Sequence, residues 1–584
     1  VKTGIGSGAG ALNSAADTNS NYVIGRYAFA VYDEGGLLDF NIAGYPYPSP
    51  SPVTTPANLA TSIGRKGTTA LADLTAMKLT TSGATATQPT LTKLIAWRNY
   101  ATVQASGTFP SLAPLDQSES AFLNYVVGST QTGVTRDFLT VPTTVYTNRT
   151  DQALVTRKEL LDLDRGLGAS ANWNILQFLG TFSREQNIPT FTAGVSLTKR
   201  FYMGSLSLVV PNPPAVQSSD IQKYFGLQWV AGTPGAAGPP VQPAIPGHWK
   251  YVGSSGTTAR DRIPALGTEP EFFQLLNYAM NLTAVDDFTH IGTTLSIGAA
   301  LIDQYDDSTL ADPLTGTTHT MIEYNGGWAT GLENTDPARP SPSPAVSPFP
   351  SPYGMSPTPP PFVPGYTMLN RAFRNVGEFG YAFRSSATPT PTPATPKTLD
   401  FSTAGSADAP ILDLFTYNSA TTRAGIVNLN TQNIAVIAAI LRSAISNEAT
   451  SAVVGFAAAN NAASSPTPAP TLGVVSHPTN GTMVNPALGR QDVARLTAAA
   501  GTTLGATEEN KETVARALAE LGQTRTWGLF IDVIAQSGRY PPNAASLADF
   551  VVQGEKRYWL HIAIDRFTGQ IIDQSLEAVS EDRD

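Results

Sequence analysis

The stretch KRYWLHIAIDRFTGQIIDQSLEAVSE, Lys556–Glu581, decides the fold. Aromatic and aliphatic residues alternate with polar ones up to Asp565. Asp565–Gly569 supplies turn residues, and a second alternating run follows. A period of two interrupted by a turn is the pattern of a β-hairpin. The other end of the chain carries RYAFAVYDEGGLLDFNIAGY, Arg26–Tyr45, in which two apolar runs flank an acidic turn at Asp33–Glu34. Hairpins at both ends with helical patterns between them predict an α+β chain. The expected architecture is an antiparallel sheet formed by N- and C-terminal hairpins, a large inserted mainly helical region, and proline-rich surface loops. In this reading the two hairpins join one sheet, and Asp33 and Glu34 are structural acids at its rim.

Composition narrows the function classes. The chain has 584 residues, enough for two to four cores. Only 14 % of residues are charged, well below the usual quarter, while Gly (50) and Pro (45) are abundant. The net charge is −9 and no basic run is present. A protein that tracks phosphates needs a cationic stripe, so nucleic acid is not an expected partner. Cys is absent, which removes disulfides, thiolate catalysis, zinc–thiolate sites and iron–sulfur clusters. The five His residues show no HxH or HxxxH spacing. The sequence begins at Val1 and contains no apolar run of about 18 residues, so a membrane contact is expected only through a helix missing from the N-terminal side.

Four proline-rich tracts (45–56, 339–364, 388–396 and 465–471) punctuate the chain. Proline lacks an amide donor and fixes φ, so these tracts read as surface loops or spacers. The expected organisation is an N-terminal hairpin segment (1–60), a mainly helical region (61–200), and a mixed α/β region with an acidic segment (201–338). A proline-rich loop (339–364), a helical module (365–484) and C-terminal helices with the closing hairpin (485–584) complete it. Helical spacing is read at 70–79, 91–104, 151–167, 172–187, 269–282, 291–307 and 508–522. FYMGSLSLVV (201–210) reads as a strand, and WGLFIDVIAQSGRY (527–540) as a helix or buried segment. GIVNLNTQNIAVIAAILRSAI (425–445) opens a helix that Asn430 or Thr431 is placed to cap, with Ile434, Ile437, Leu441 and Ala444 on one face.

Few residues carry a chemical signature. GIGSGAG (4–10) has the glycines of a phosphate loop but no strand before it, and it reads as a flexible terminal segment. No GxSxG is present. His561, in an alternating strand, reads as a hydrogen-bonded or solvated sheet residue. The acids are the better candidates. Asp303, Asp306 and Asp307 lie in LIDQYDDSTLADP, with Asp312 five residues on. Such oxygen-rich clusters suit calcium, which takes six to eight oxygen ligands, although the EF-hand spacing is absent. The alternative is a solvated turn rich in Asp at a helix end. A paired-carboxylate hydrolase is the outsider, because the seven Trp residues of a sugar-binding cleft are spread along the chain.

Several segments together resemble a known group. YAFAVYDEGGLLDFNIAG, GIVNLNT, and LIDQYDDSTLADP followed by MIEYNG are similar to segments of K-type minor pseudopilins of type II secretion. RNVGEFGYAFR (374–384), KTLDF (397–401), ILDLFT (411–416), WGLFIDVIAQSGRYP (527–541) and RYWLHIAIDRFTGQIIDQSLEAV (557–579) resemble large verrucomicrobial pilin-like proteins of the cassette protein A type. LQFLGTFSREQNIP (176–189) and LENTDPARP (332–340) are similar to the same group. The resemblance implies a non-enzymatic structural subunit of a pilus-like or type II secretion-like apparatus, at the cell envelope, periplasmic or extracellular. The implied partners are other pilin-like subunits or further copies of this chain. It also implies calcium near the acidic segment, carried here by Asp303, Asp306 and Asp307. Such proteins carry an N-terminal apolar helix that this sequence lacks, which implies a processed ectodomain or a likeness to the globular part alone. Their VNLNT helix belongs to a helix-hairpin-helix-like module, but AAILRSAISNEATSAVV lacks the Gly hairpin and offers only Arg442, so packing rather than DNA contact is expected. A cell-surface adhesin or carbohydrate-binding protein is the alternative.

Overall fold

The structure is a computed structural model. It describes residues 25–44, 66–74, 154–166, 175–190, 197–210, 213, 219–238, 244–253, 269–280, 288–306, 319–331, 368–384, 397–431, 433–446, 476–479, 482–484, 486–501, 508–541 and 547–579. The glycine-rich 4–10, the helical reading at 91–104, the four proline tracts, Asp307 and Asp312 lie outside the described residues.

The principal strands are β1 (Gly25–Asp33), β2 (Leu227–Val230), β3 (His248–Tyr251), β4 (Met321–Tyr324), β5 (Gly327–Thr330), β6 (Thr526–Arg539), β7 (Val551–Asp565) and β8 (Ile571–Val579). The principal helices are α1 (Arg157–Gly166), α2 (Phe272–Met280), α3 (Phe288–Tyr305), α4 (Ile434–Ser446), α5 (Asp492–Gly501) and α6 (Glu508–Leu518). The chain is α+β. Its N- and C-terminal strands share one antiparallel sheet in the order β1-β6-β7-β8. A second four-stranded sheet, β2-β3-β4-β5, is mixed, with β3 and β4 parallel.

The closing hairpin forms as read, β7 and β8 joined through Asp565–Gly569. Asp565 Oδ1 accepts the Phe567 N–H at 2.9 Å, and Gly569 takes the left-handed φ of 71° that closes the turn. The opening stretch is not a hairpin. β1 pairs along its whole length with β6, Gly25 opposite Ser537 and Asp33 opposite Leu529. The second apolar run turns away, and Leu38–Asp39 pairs in parallel with Leu179–Gly180. WGLFIDVIAQSGRY is therefore a central strand, not a helix. Its apolar residues populate both faces, a spacing that suits a helix as well as a strand, and the long-range ladder decides between them.

Other corrections are local. Within 172–187 the described backbone makes a 3₁₀ turn at Ile175–Gln177 and two short strands. Its carbonyls at Phe178 and Gly180 accept the N–H groups of Leu38 and Phe40, which holds it extended. Residues 201–210 give a two-residue strand and then a 3₁₀ turn at Met203–Leu208. The described start of 70–79 holds only a 3₁₀ turn, Thr69–Leu71, after which the Asp73 N–H donates to the Ala439 carbonyl. The helix after VNLNT starts later than expected. Val427–Asn428 pairs with Gly522–Gln523, Asn430 clamps Ala487 through two hydrogen bonds of 2.7 and 2.8 Å, and the Asn433 carbonyl accepts the first helical amides. Ile437, Leu441 and Ala444 are buried on one face of α4, as the spacing indicates.

The main core draws on residues from Leu38 to Leu521. Its centre is a set of rings, Phe201, Phe225, Phe272, Phe379 and Phe415, meeting at 5.4–5.8 Å between centroids, mostly tilted or edge-on. No residue of β6, β7 or β8 belongs to this cluster. The terminal sheet is a separate layer set against the body.

Beside the rings lies a closed ion set. Arg200 meets Glu185 at 3.2 Å and Asp413 at 3.0 Å. Arg423 meets Glu520 at 2.8 Å and also pairs with Glu185. Arg490 stands 3.6 Å from Glu185 and donates Nε–H to the Gly522 carbonyl at 3.1 Å. These six side chains are at most 3 % exposed. Three cations balance three anions, so the interior holds no net charge there. Burial pushes the Glu520 carboxyl up, while Arg423 and the Thr416 hydroxyl draw it back. Removing one member of such a set leaves its partners charged in low dielectric, which costs roughly 3–5 kcal/mol. Arg423→Met is therefore expected to lower unfolding free energy by about that amount in urea denaturation. A loss below about 1 kcal/mol, the ceiling for a solvated ion pair, would show that the set is not closed to water.

Candidate functional site

The most organised ionisable cluster lies where the terminal sheet meets the body. β7 places His561 opposite Phe530 of β6 and Ser575 of β8, on the inward face of the sheet. The turn after β1 brings Glu34 over it. The Glu34 and Gly35 N–H groups both donate to the Gly528 carbonyl, at 2.9 and 3.3 Å. That approach is close at Gly528, where a Cβ would stand 3.2 Å from the Gly35 backbone. Glu34 Oε2 then lies 2.8 Å from His561 Nδ1. On the other side, Glu577 Oε1 lies 3.0 Å from His561 Nε2.

Glu577 does a second task. Its two oxygens accept the N–H groups of Arg157 and Lys158 at 2.6 and 3.3 Å, the first amides of α1. The remaining start of α1 is a capping box. Thr156 Oγ1 accepts the Glu159 N–H at 3.1 Å, and the Glu159 carboxylate returns to the Val155 and Thr156 amides. A carboxylate at this position also complements the positive helix end. The Arg157 guanidinium lies over the Phe530 ring at 5.0 Å.

The charges follow from this geometry. Burial alone would depress the His561 pKa, but the two carboxylates outweigh it and hold it up at about 9. Burial raises Glu34 despite His561. Glu577 is also desolvated, yet His561 and the helix amides hold it below the ordinary carboxylate value. An imidazolium between two acids, with Arg157 alongside, forms a balanced buried group. A nucleophilic pair requires one ring nitrogen to take a hydroxyl proton. Here each nitrogen stands within 3.0 Å of a carboxylate oxygen, so neither is aimed at a hydroxyl.

The acidic segment is arranged differently. Asp303 is fully buried on α3 and accepts the Thr320 N–H at 2.8 Å, which anchors the approach to β4. Gly331 packs directly on its carboxylate, leaving no room for a Cβ. Burial lifts Asp303 to about 7. Asp306 follows one helical turn later and is half-buried, and Asp307 lies outside the described residues. Asp33 stands apart, its Oδ1 accepting the Gly35 N–H at 2.9 Å. Among the described residues, no group of three or more His, Asp or Glu side chains gathers as a metal site.

His248 sits against Trp328 and 3.5 Å from Glu323. Sequence reading missed the Glu34–His561–Glu577 link, since its members lie at opposite ends of the chain. The only local sign was Glu34 in a glycine turn. No family model matches the chain, and neither a curated protein nor a solved structure matches it. Among the described residues, no helix is long and apolar enough to cross a membrane.

Two outcomes follow. A His with a raised folded pKa contributes stability that is complete below about 6.5 and lost as pH rises through about 9. The melting temperature is therefore expected to fall between pH 7 and 10 more steeply in the native chain than in His561→Gln; equal slopes would contradict the link. Asp303 has the opposite chemistry with the same sign, because its neutral form is the one favoured by folding, and its contribution is lost as pH rises through about 7. Asp303→Asn keeps an acceptor for Thr320 and is expected to melt higher than the native chain at pH 8. A lower melting temperature there would mean that an ionised Asp303 is needed, as a calcium ligand would be.

Proposed function

We propose that this chain is a non-enzymatic structural subunit of a pilus-like or type II secretion-like apparatus at the cell envelope. One observation carries the reading beyond the resemblance of its segments. The terminal sheet is fastened to the body through one face by Glu34, His561, Glu577 and α1, while its other face is apolar and open. Tyr27, Phe29, Val31 and Leu576 on that face are each at least half exposed. Monomeric proteins seldom leave such contiguous apolar area to water. An assembling subunit has a use for it.

The ionisable groups also fit a structural role. Each of the buried acids and cations described above has at least one partner in another such group or in the backbone, and Glu271, pushed up to about 8 by burial, accepts the Tyr251 hydroxyl at the start of α2. Calcium at Asp303, Asp306 and Asp307, which the resemblance implies, is not part of this proposal, because Asp303 is fully buried and closes on the Thr320 amide and on Gly331.

Immunogold labelling of native cells, with sheared surface material analysed in parallel, tests the reading. The chain is expected on filaments or in heteromeric envelope complexes with pilin-like subunits. Recovery solely as a free monomer that binds glycans would contradict it and favour the adhesin. Turnover of a glycoside lost in Asp303→Asn would favour the hydrolase.

A further inference from the structure

We propose that the open face of the terminal sheet is a self-association surface, on which a second copy of this chain stacks its own sheet face to face. The inference names the partner for the assembling surface and rests on that reading of the face.

The register defines the face. Tyr27, Phe29, Val31 and Asp33 of β1 share it with Ala535, Val533, Ile531 and Leu529 of β6. The same cross-strand rows continue through Lys556, Tyr558 and Leu560 of β7 and end at Ile562, which is already buried. In β8 they reach Leu576 and Ala578. The opposite face carries Phe530, Trp559, His561 and Glu577, all buried, and Tyr32 of β1, which is exposed at its edge. Strand side chains alternate between faces, so the inward fastening of His561 and Glu577 fixes the apolar set outward.

The face has the chemistry of a sheet interior. Asp33 and Lys556 are its charged residues along these rows, and they stand towards opposite ends. Stacking would bury no charge in the middle. The area is also sufficient. Tyr27, Phe29, Val31, Trp527, Ile571 and Leu576 are 50–65 % exposed. At about 150–250 Å² for each aromatic side chain and less for Val, Ile and Leu, these six alone offer roughly 600 Å². The half-buried residues between them bring the face to the ~800 Å² that each partner contributes to a standard stable interface. A twisted antiparallel sheet meets a copy of itself at about −30° and a spacing of about 10 Å, as in a β-sandwich. A two-fold axis makes that contact self-complementary and closed at two copies.

Sedimentation velocity of the full chain from about 0.5 to 100 µM tests this, in the affinity range such an interface reaches. The expected species has twice the 61.5 kDa mass of one chain. Phe29→Asp with Leu576→Asp is expected to weaken self-association at least 100-fold, while Leu488→Asp, an exposed site elsewhere, leaves it unchanged. The chain lacks cysteine, so Phe29→Cys or Leu576→Cys with a short bis-maleimide provides a second readout should the charged variants fold poorly. Both are expected to give a linked dimer, and Ala28→Cys, on the other face, is not. A monomer at every concentration, or a dimer insensitive to the face substitutions, would overturn the proposal. The ultracentrifuge reads the isolated chain and the filament labelling reads the native complex, so either result can fail without the other.

Discussion

One imidazole between two carboxylates ties the two ends of this chain to each other, and one of those carboxylates ties them to the body. His561 stands on β7, Glu34 follows β1, and Glu577 stands on β8 while capping α1. No residue of β6, β7 or β8 belongs to the main core, so the sheet is held to the body by contacts such as the Glu577 cap on α1, the Arg184–Asp573 ion pair at 2.8 Å and the Phe182 ring against His561. The link also sets the sheet's polarity. Because alternate side chains point to opposite faces, burying His561 and Glu577 inward leaves the apolar rows outward. Attachment and exposure are thus two consequences of one register.

The same logic runs through the interior. The chain is poor in charge, yet Glu185, Arg200, Asp413, Arg423, Arg490 and Glu520 are buried together. Such a set is weak evidence for stability, because desolvation offsets most of the attraction. Its effect is on which segments are allowed to meet. Residues 185–200, 413–423, 490 and 520 carry partners that only one another can satisfy, and each mispaired alternative leaves a charge buried alone. In a chain interrupted by long proline tracts, that restricts the packing of distant pieces more sharply than apolar contact does.

The closing hairpin was legible in the sequence because its signal is local: alternation from Arg557, turn residues at Asp565–Gly569, alternation again. Helices α2 and α3 were legible for the same reason. The class of fold and the union of the terminal strands followed from these. The pairing of β1 was not legible in detail. Its partner β6 lies some five hundred residues away, and apolar residues on both faces of β6 hide the period of two. The Glu34–His561–Glu577 link was illegible for a related reason, since 527 positions separate Glu34 from His561. Asp303 was visible as an acid on a helix, but its burial depends on Thr320 and Gly331 arriving from β4 and the end of β5.

The union of the two chain ends therefore depends on the charge state of a single side chain. As a buried imidazolium, His561 draws Glu34 and Glu577 together on the inner face of the sheet. The most direct measurement is a nitrogen-15 NMR titration of the histidine ring nitrogens from pH 5 to 10, assigned with His561→Gln. The account predicts a ring doubly protonated at pH 7, losing its proton near pH 9. A ring that is neutral at pH 7 and titrates at or below about 6.5 would contradict it.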